Sequence, residues 1–262
     1  MATRDSVLQQ LKANQRSFHL NHLLIIPTYN EADNIKELIE RIKRDVSTPL
    51  QILVIDDGSP DGTAKIVEEL AKNIKCLQVL KRDGKLGLGS AYLEGFSLGI
   101  ESGFPFVITM DSDLSHDPVV INDMMSKSPA NDLVIGSRYC PGGEIPNFEL
   151  WRRWMSKGGN WYAKTLLAIK ASDCTSGFRC YRTEVLKNLD VGRNVESRQY
   201  IFLVELLSLL TSKGCRIAEV PIIFNQRTRG KTKVSFEEFF HGFERIFVLF
   251  LHQKFSKRKS CL

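Results

Sequence analysis

Two carboxylates one residue apart, Asp111 and Asp113, close the apolar run Phe106-Val107-Ile108-Thr109-Met110. Such a run reads as a short buried strand, and carboxylates at its tip are hard oxygen donors for a cation, directly or through water. Successive strand side chains point to opposite faces, so both acids reach one ion only where the chain turns beyond the strand. Taken alone, the pair also suits a plain solvated turn. Two further loops have related chemistry: Pro27-Thr28-Tyr29-Asn30-Glu31 after one apolar run, and Asp56-Asp57-Gly58-Ser59-Pro60-Asp61-Gly62-Thr63 after another. Asn30, Asp33, Asp61 and Thr63 suit helix capping and turn formation. Capping does not explain Asp56 and Asp57 directly after Gln51–Ile55, where a carboxylate can accept hydrogen bonds from a nucleobase or ribose.

Gly84-Lys85-Leu86-Gly87-Leu88-Gly89-Ser90 lets a backbone approach an anion at a helix start. It has neither the GxGxxG order nor the P-loop order, which disfavours a dinucleotide oxidoreductase. The basic candidates are Arg138 and the loop Arg227-Thr228-Arg229-Gly230-Lys231-Thr232-Lys233. They read as a solvated face or as a phosphate clamp.

These residues need a scaffold that gathers strand ends. Apolar runs alternate with amphipathic stretches: strands at 23–27, 51–55, 76–80, 106–110 and 133–135, helices at 34–46, 63–72 and 91–100. This βα alternation predicts a mainly parallel sheet flanked by helices, with ligands outside the carboxyl ends of its strands. Beyond a Pro/Gly loop at 141–146, a helix at 151–169, a strand at 178–181, a helix at 200–211 and a strand at 217–224 are expected. No repeat or low-complexity linker separates the halves, so one fold is expected.

The 262 residues carry 43% hydrophobic content and a formal charge of +6, with pI near 9.0. The charge implies an acidic partner: nucleic acid, anionic membrane or phosphorylated small molecule. Six cysteines without CxxC or zinc-like spacing suggest reduced thiols. Met1–Asn21 lacks the apolar core of a signal peptide, no run is long enough to span a bilayer, and Cys261 is misplaced for prenylation. From Ser235 to Leu251, Phe236, Phe239, Phe240, Phe243, Ile246, Phe247 and Phe250 fall on one helical face. It packs on the core or lies on a membrane, where Lys254, Lys257, Arg258 and Lys259 would attract anionic headgroups at ~1 kcal/mol each.

Together these motifs resemble the inverting glycosyltransferases of the GT-A fold, most closely the dolichol-phosphate mannose synthases. The match spans residues 23–233 and includes Lys85-Leu86-Gly87-Leu88-Gly89, Asp111-Ser112-Asp113-Leu114-Ser115-His116 and Gly136-Ser137-Arg138-Tyr139 in order. The resemblance implies a Rossmann-like GT-A domain over 22–234, between an N-terminal extension (1–21) and a basic amphipathic docking segment (235–262). It implies donor-lining roles for Pro27, Tyr29, Glu31, Ile55, Asp57 and Ser112, and Mg²⁺ or Mn²⁺ on Asp111 and Asp113. Arg138, Arg227 and Lys233 become phosphate-contacting cations, with Asp113, Arg138 and Arg227 closest to the chemistry. Asp173 and Glu205 match further motif positions, their roles open. Ser112 replaces the usual Ala, and Lys231 a usual Glu.

The implied reaction transfers mannose from GDP-mannose to a dolichyl or polyprenyl phosphate with inversion. The enzyme would be peripheral on the cytoplasmic face of a membrane, endoplasmic reticulum or bacterial inner membrane by source, with a small anchoring subunit as candidate partner, and would not bind nucleic acid. Rivals are a transferase using UDP-glucose or another donor, and a non-catalytic basic binding module.

Overall fold

The structure, a computed structural model, describes residues 3–146, 150–197, 199, 201–225 and 236–259. The chain begins with α1 (Arg4–Phe18), then alternates β1 (His22–Thr28), α2 (Ala32–Asp45), β2 (Gln51–Asp56), α3 (Thr63–Ala71), β3 (Leu77–Lys81), α4 (Leu88–Glu101), β4 (Phe106–Thr109), α5 (Val120–Lys127) and β5 (Leu133–Ser137). It continues through α6 (Leu150–Leu167), β6 (Arg179–Arg182), α7 (Thr183–Asn188), α8 (Val191–Asn194), α9 (Phe202–Ser212), β7 (Ile217–Pro221) and α10 (Phe236–Lys259).

The strands form a seven-stranded sheet in the order β3-β2-β1-β4-β6-β5-β7. Only β6 runs antiparallel to its neighbours, pairing Thr109 with Arg179 on one side and Ile135 with Arg179 on the other. The mixed, mainly parallel GT-A-like architecture expected from the sequence is therefore present, in one sheet.

Alternation along each strand feeds two cores. Leu23, Ile25, Leu53 and Ile55 pack with α1, α4, α6, α9 and α10 on one face. Leu24, Ile26, Ile52 and Val54 pack with α2, α3 and α5 on the other. The central strands are buried on both faces, which is why they read as unbroken apolar runs. Helix α4 lies close on the sheet because Gly95 and Gly99 face it: a Cβ would come within 2.7 Å of Ile25 and 2.6 Å of Val107.

Candidate active site

Parallel strands point their carboxyl ends the same way, so the segments after β1, β2, β4, β5 and β7 share one edge. Since β6 is reversed, the segment before it, Asp173–Phe178, joins them there. That reversal brings residues 35 and more positions apart together.

Asp111 and Asp113 sit at the centre of this edge. The turn the pair requires is present: Leu114 adopts φ 64, a left-handed conformation costly for a branched side chain. It brings Ser115 back under Asp113, whose Oδ1 accepts from Ser115 N at 3.1 Å and Oγ at 2.5 Å. Asp113 is buried, whereas the Asp111 side chain keeps 35% exposure. Two buried groups approach the two oxygens of Asp111: Tyr92 Oη of α4, 3.4 Å from Oδ1, and His116 Nε2, 3.3 Å from Oδ2. Gly177 closes the third side, where a Cβ would lie 3.1 Å from Asp111 Oδ1 and 3.2 Å from Tyr92 Oη. Burial raises the Tyr92 pKa well above the ordinary phenol value, and the Asp111 charge adds to it, so the hydroxyl stays protonated and can donate.

Of the acids at the end of β2, Asp56 is committed within the fold, accepting from Thr28 Oγ1 of β1 and from Ser59. Asp57 faces the glycine-rich segment: Oδ1 pairs with Arg82, and Oδ2 accepts from Leu86 N and Gly87 N at 3.1 Å each. The glycines thus receive a protein carboxylate. Arg82, which sequence reasoning passed over, also donates to Ser90 Oγ at 2.7 Å, tying β3 to α4. Glu31 is buried at the start of α2 and accepts from Asn34 Nδ2. The N-cap positions fall on Gly62 and Glu31, and Asp61 works from just outside them: one oxygen takes Thr63 N and the other Ala32 N, stitching α3 to α2. Pro27 and Tyr29 are half-buried, with Lys85 Nζ 5.0 Å from the Tyr29 ring centroid. Ser112 is buried, and Ile55, without exposed surface, belongs to the core beneath.

Arg138, immediately after β5, is held bidentately by Asp173. Asp173 also accepts from the backbone N–H groups of Arg138, Thr175 and Ser176. The open role of Asp173 is thereby filled. Beside Arg138 opens a cavity of about 630 Å³, rimmed by Tyr139, Arg153, Lys157, Trp161 and Lys164. The α6 cations were missed because a helix face is invisible until its neighbour is placed; their spacing of four and seven residues was the available signal.

Glu205, on α9, accepts from Glu196 N, Ser197 N and Ser197 Oγ, and pairs with Arg245 of α10 at 3.1 Å. It is a clamp within the fold. Arg227 and Lys233 lie outside the described residues. Among the described residues there is no cluster of three His, Cys, Asp or Glu able to hold a metal.

The model of glycosyl transferase family 2 matches residues 23–190. The chain is 41% identical over 216 residues to a polyprenol monophosphomannose synthase of Mycolicibacterium smegmatis, covering 81% of this chain and 80% of that one. It is 38% identical over 213 residues to an undecaprenyl-phosphate mannosyltransferase of Micrococcus luteus, covering 81% and 87%. Among solved structures, mannosyl-3-phosphoglycerate synthase from Rubrobacter xylanophilus shares the fold at TM-score 0.60 and 18% identity, covering 93% of this chain and 78% of that one. Glucosyl-3-phosphoglycerate synthase from Mycobacterium tuberculosis, solved with Mn²⁺ and uridine diphosphate, does so at 0.58 and 17%, covering 92% and 81%. With the acid pair, the strand-end loops and the sheet order all in place, the chain belongs to glycosyl transferase family 2.

Proposed function

We propose that this chain transfers mannose from GDP-mannose to a dolichyl or polyprenyl phosphate, with inversion, using Mg²⁺ or Mn²⁺ at Asp111 and Asp113. The observation that carries the reading is the segment Asp173–Gly177, which has Arg138 and a cation-rimmed cavity at one end and Asp111 at the other. One edge thus offers acids for a metal-bound donor diphosphate and cations for an anionic acceptor. Two relatives named for polyprenol monophosphomannose synthesis and for mannosyl transfer to undecaprenyl phosphate support mannose as the sugar and a polyprenyl phosphate as the acceptor.

The residues fit a hard cation. Asp111 and Asp113 are oxygen donors, only two in number, and the Asp111 carboxylate is partly exposed. That suits an ion completing its shell with diphosphate and water; it does not suit zinc, which takes nitrogen or sulfur from three or four side chains. When bound, the ion would neutralise charge on the departing diphosphate.

The protein's own work is to align two anions that repel. Pro27, Tyr29, Glu31, Asp57 and Ser112 line the donor, with Ile55 in the core beneath them rather than at the ligand, while Arg138, Arg227 and Lys233 hold phosphate oxygens. An acceptor phosphate oxygen attacks the anomeric carbon, the bond to the diphosphate breaks, and GDP leaves with the electron pair. That oxygen is already anionic at neutral pH, so no general base is required. The transferase unit would be residues 22–234, working peripherally at the cytoplasmic face of a membrane, with a small anchoring subunit as candidate partner. No helix among the described residues is long and apolar enough to cross a membrane.

A donor panel tests the reading. GDP-mannose is expected to support transfer to a short polyprenyl phosphate and UDP-glucose is not; preference for UDP-glucose would refute the mannosyl assignment.

A further inference from the structure

Helix α6 carries Arg152, Arg153, Lys157 and Lys164 and no acidic residue, and it holds all three tryptophans of the chain: Trp151, Trp154 and Trp161. Trp154 is 75% exposed and Trp161 68%, the two most exposed large apolar side chains among the described residues. Seven residues apart, they lie in register along one side of the helix. The opposite side is anchored by the buried Asn160, Ala163 and Leu167. Arg153, Lys157 and Lys164 form the stripe between the tryptophans and the cavity they help to rim. Single exposed apolar residues need no explanation, but two aligned tryptophans on an acid-free helix do.

The C-terminal helix does not compete for this role with its whole apolar stripe. Phe243 of α10 packs on Tyr162 of α6 at 4.9 Å between ring centroids, Ile246 is 6% exposed, and Phe250 packs against the core. Arg245 is drawn inward by Glu205 and Glu196. The large apolar side chains that α10 leaves exposed, among those described, are Phe247 and Val248.

We propose that α6 is the surface that docks on an anionic bilayer. Trp154 and Trp161 enter the headgroup boundary, where an indole finds both an apolar layer and hydrogen-bond acceptors. Arg153, Lys157 and Lys164 face lipid phosphates, each raising the partition by about fivefold. The inference deepens the reading of a lipid-borne acceptor and rests on it, because this docking sets the mouth of the cavity at headgroup level.

Since every tryptophan lies on α6, intrinsic fluorescence reports on this helix alone. The full chain is titrated with vesicles of phosphatidylcholine and phosphatidylglycerol, with and without brominated acyl chains. The expected result is a blue-shifted emission quenched by the brominated lipid and weakened by salt. Trp154→Ala is expected to lower the partition about tenfold, without loss of thermal stability or of transfer to a short, water-soluble acceptor. Co-sedimentation with vesicles but unshifted, unquenched emission would place the contact elsewhere and overturn the proposal. So would absence of binding, or capture by a partner protein in place of lipid. Loss of transfer to the soluble acceptor by the unaltered chain would instead strike the mannosyl-transfer reading and leave docking intact.

Discussion

Asp173 grips Arg138 along one edge of the guanidinium, Oδ2 to Nε at 2.7 Å and Oδ1 to Nη2 at 2.8 Å, with the carboxylate fully buried. Burial alone would raise the Asp173 pKa, but the Arg138 charge and the surrounding N–H donors hold it at about 2, below its ordinary 3.8. A depressed folded-state value stabilises the fold above the unfolded value, and that stability is lost as pH falls from 3.8 towards about 2. The linkage is on the order of 2 kcal/mol. Asp173→Asn removes the carboxylate that grips a guanidinium only 11% exposed and is expected to cost roughly 3–5 kcal/mol at neutral pH. Thermal unfolding of both proteins across pH checks this: the gap should narrow below about pH 4, where the unfolded carboxylate takes up its proton, and level off near pH 2, where the native one does.

Asp111 is approached from opposite sides by Tyr92 and His116, and both are predicted to hold its orientation. His116 Nδ1 is buried without a hydrogen-bond partner among the described residues, between Phe178 and Phe224. A proton there would be left unsatisfied, so the tautomer with hydrogen on Nε2, donating to Asp111, is favoured. Tyr92→Phe keeps the ring and removes the donor, and His116→Leu removes the donor with a side chain close to the imidazole in volume. Each is expected to weaken Mn²⁺ binding about tenfold or more, with little change in unfolding temperature. Calorimetric titration with Mn²⁺ measures this, and unchanged affinity in both variants would refute the orienting role.

Gly177 admits no side chain without displacing Asp111 or Tyr92, its Cβ position lying 3.1 Å and 3.2 Å from their oxygens. Gly177→Ala is therefore expected to reduce turnover about tenfold or more by misplacing the carboxylate. Folding should be nearly intact, since a few tenths of an ångström of side-chain movement relieves the contact. Steady-state kinetics beside circular dichroism would separate the two effects.

Asp113→Ala is expected to abolish transfer, a loss of at least a hundredfold, since it removes both the proposed ion ligand and the acceptor for Ser115. Near wild-type turnover at saturating Mn²⁺ would remove Asp113 from the metal assignment.

The first half of the fold was legible because β1, β2 and β4 are buried on both faces and spell their positions as apolar runs ending in acids. Helix α1 was not, since Val7 and Leu11 are its only buried positions and make too narrow a stripe to announce a helix. The eight-residue α5 gives too few turns for a period to show. The insertion of β6 between β4 and β5 is written nowhere locally, because strand order is decided by packing. For the same reason the cations that pair with Asp173 and Glu205 could not be read, Arg138 lying 35 residues and Arg245 40 residues away. In α10 the stripe was visible in the sequence; that Phe243, Ile246 and Phe250 turn inward became visible only with α6 and the core beside it.

The central claim is that the acid pair and the cations on one sheet edge bring a sugar-nucleotide diphosphate to a lipid phosphate. Its most direct test is transfer of labelled mannose from GDP-mannose to a short polyprenyl phosphate, run with Mn²⁺ and again with excess chelator. The account predicts a polyprenyl phosphomannose of inverted configuration that forms with the metal and is lost to the chelator. Product formed equally in both, or none in either, would contradict it.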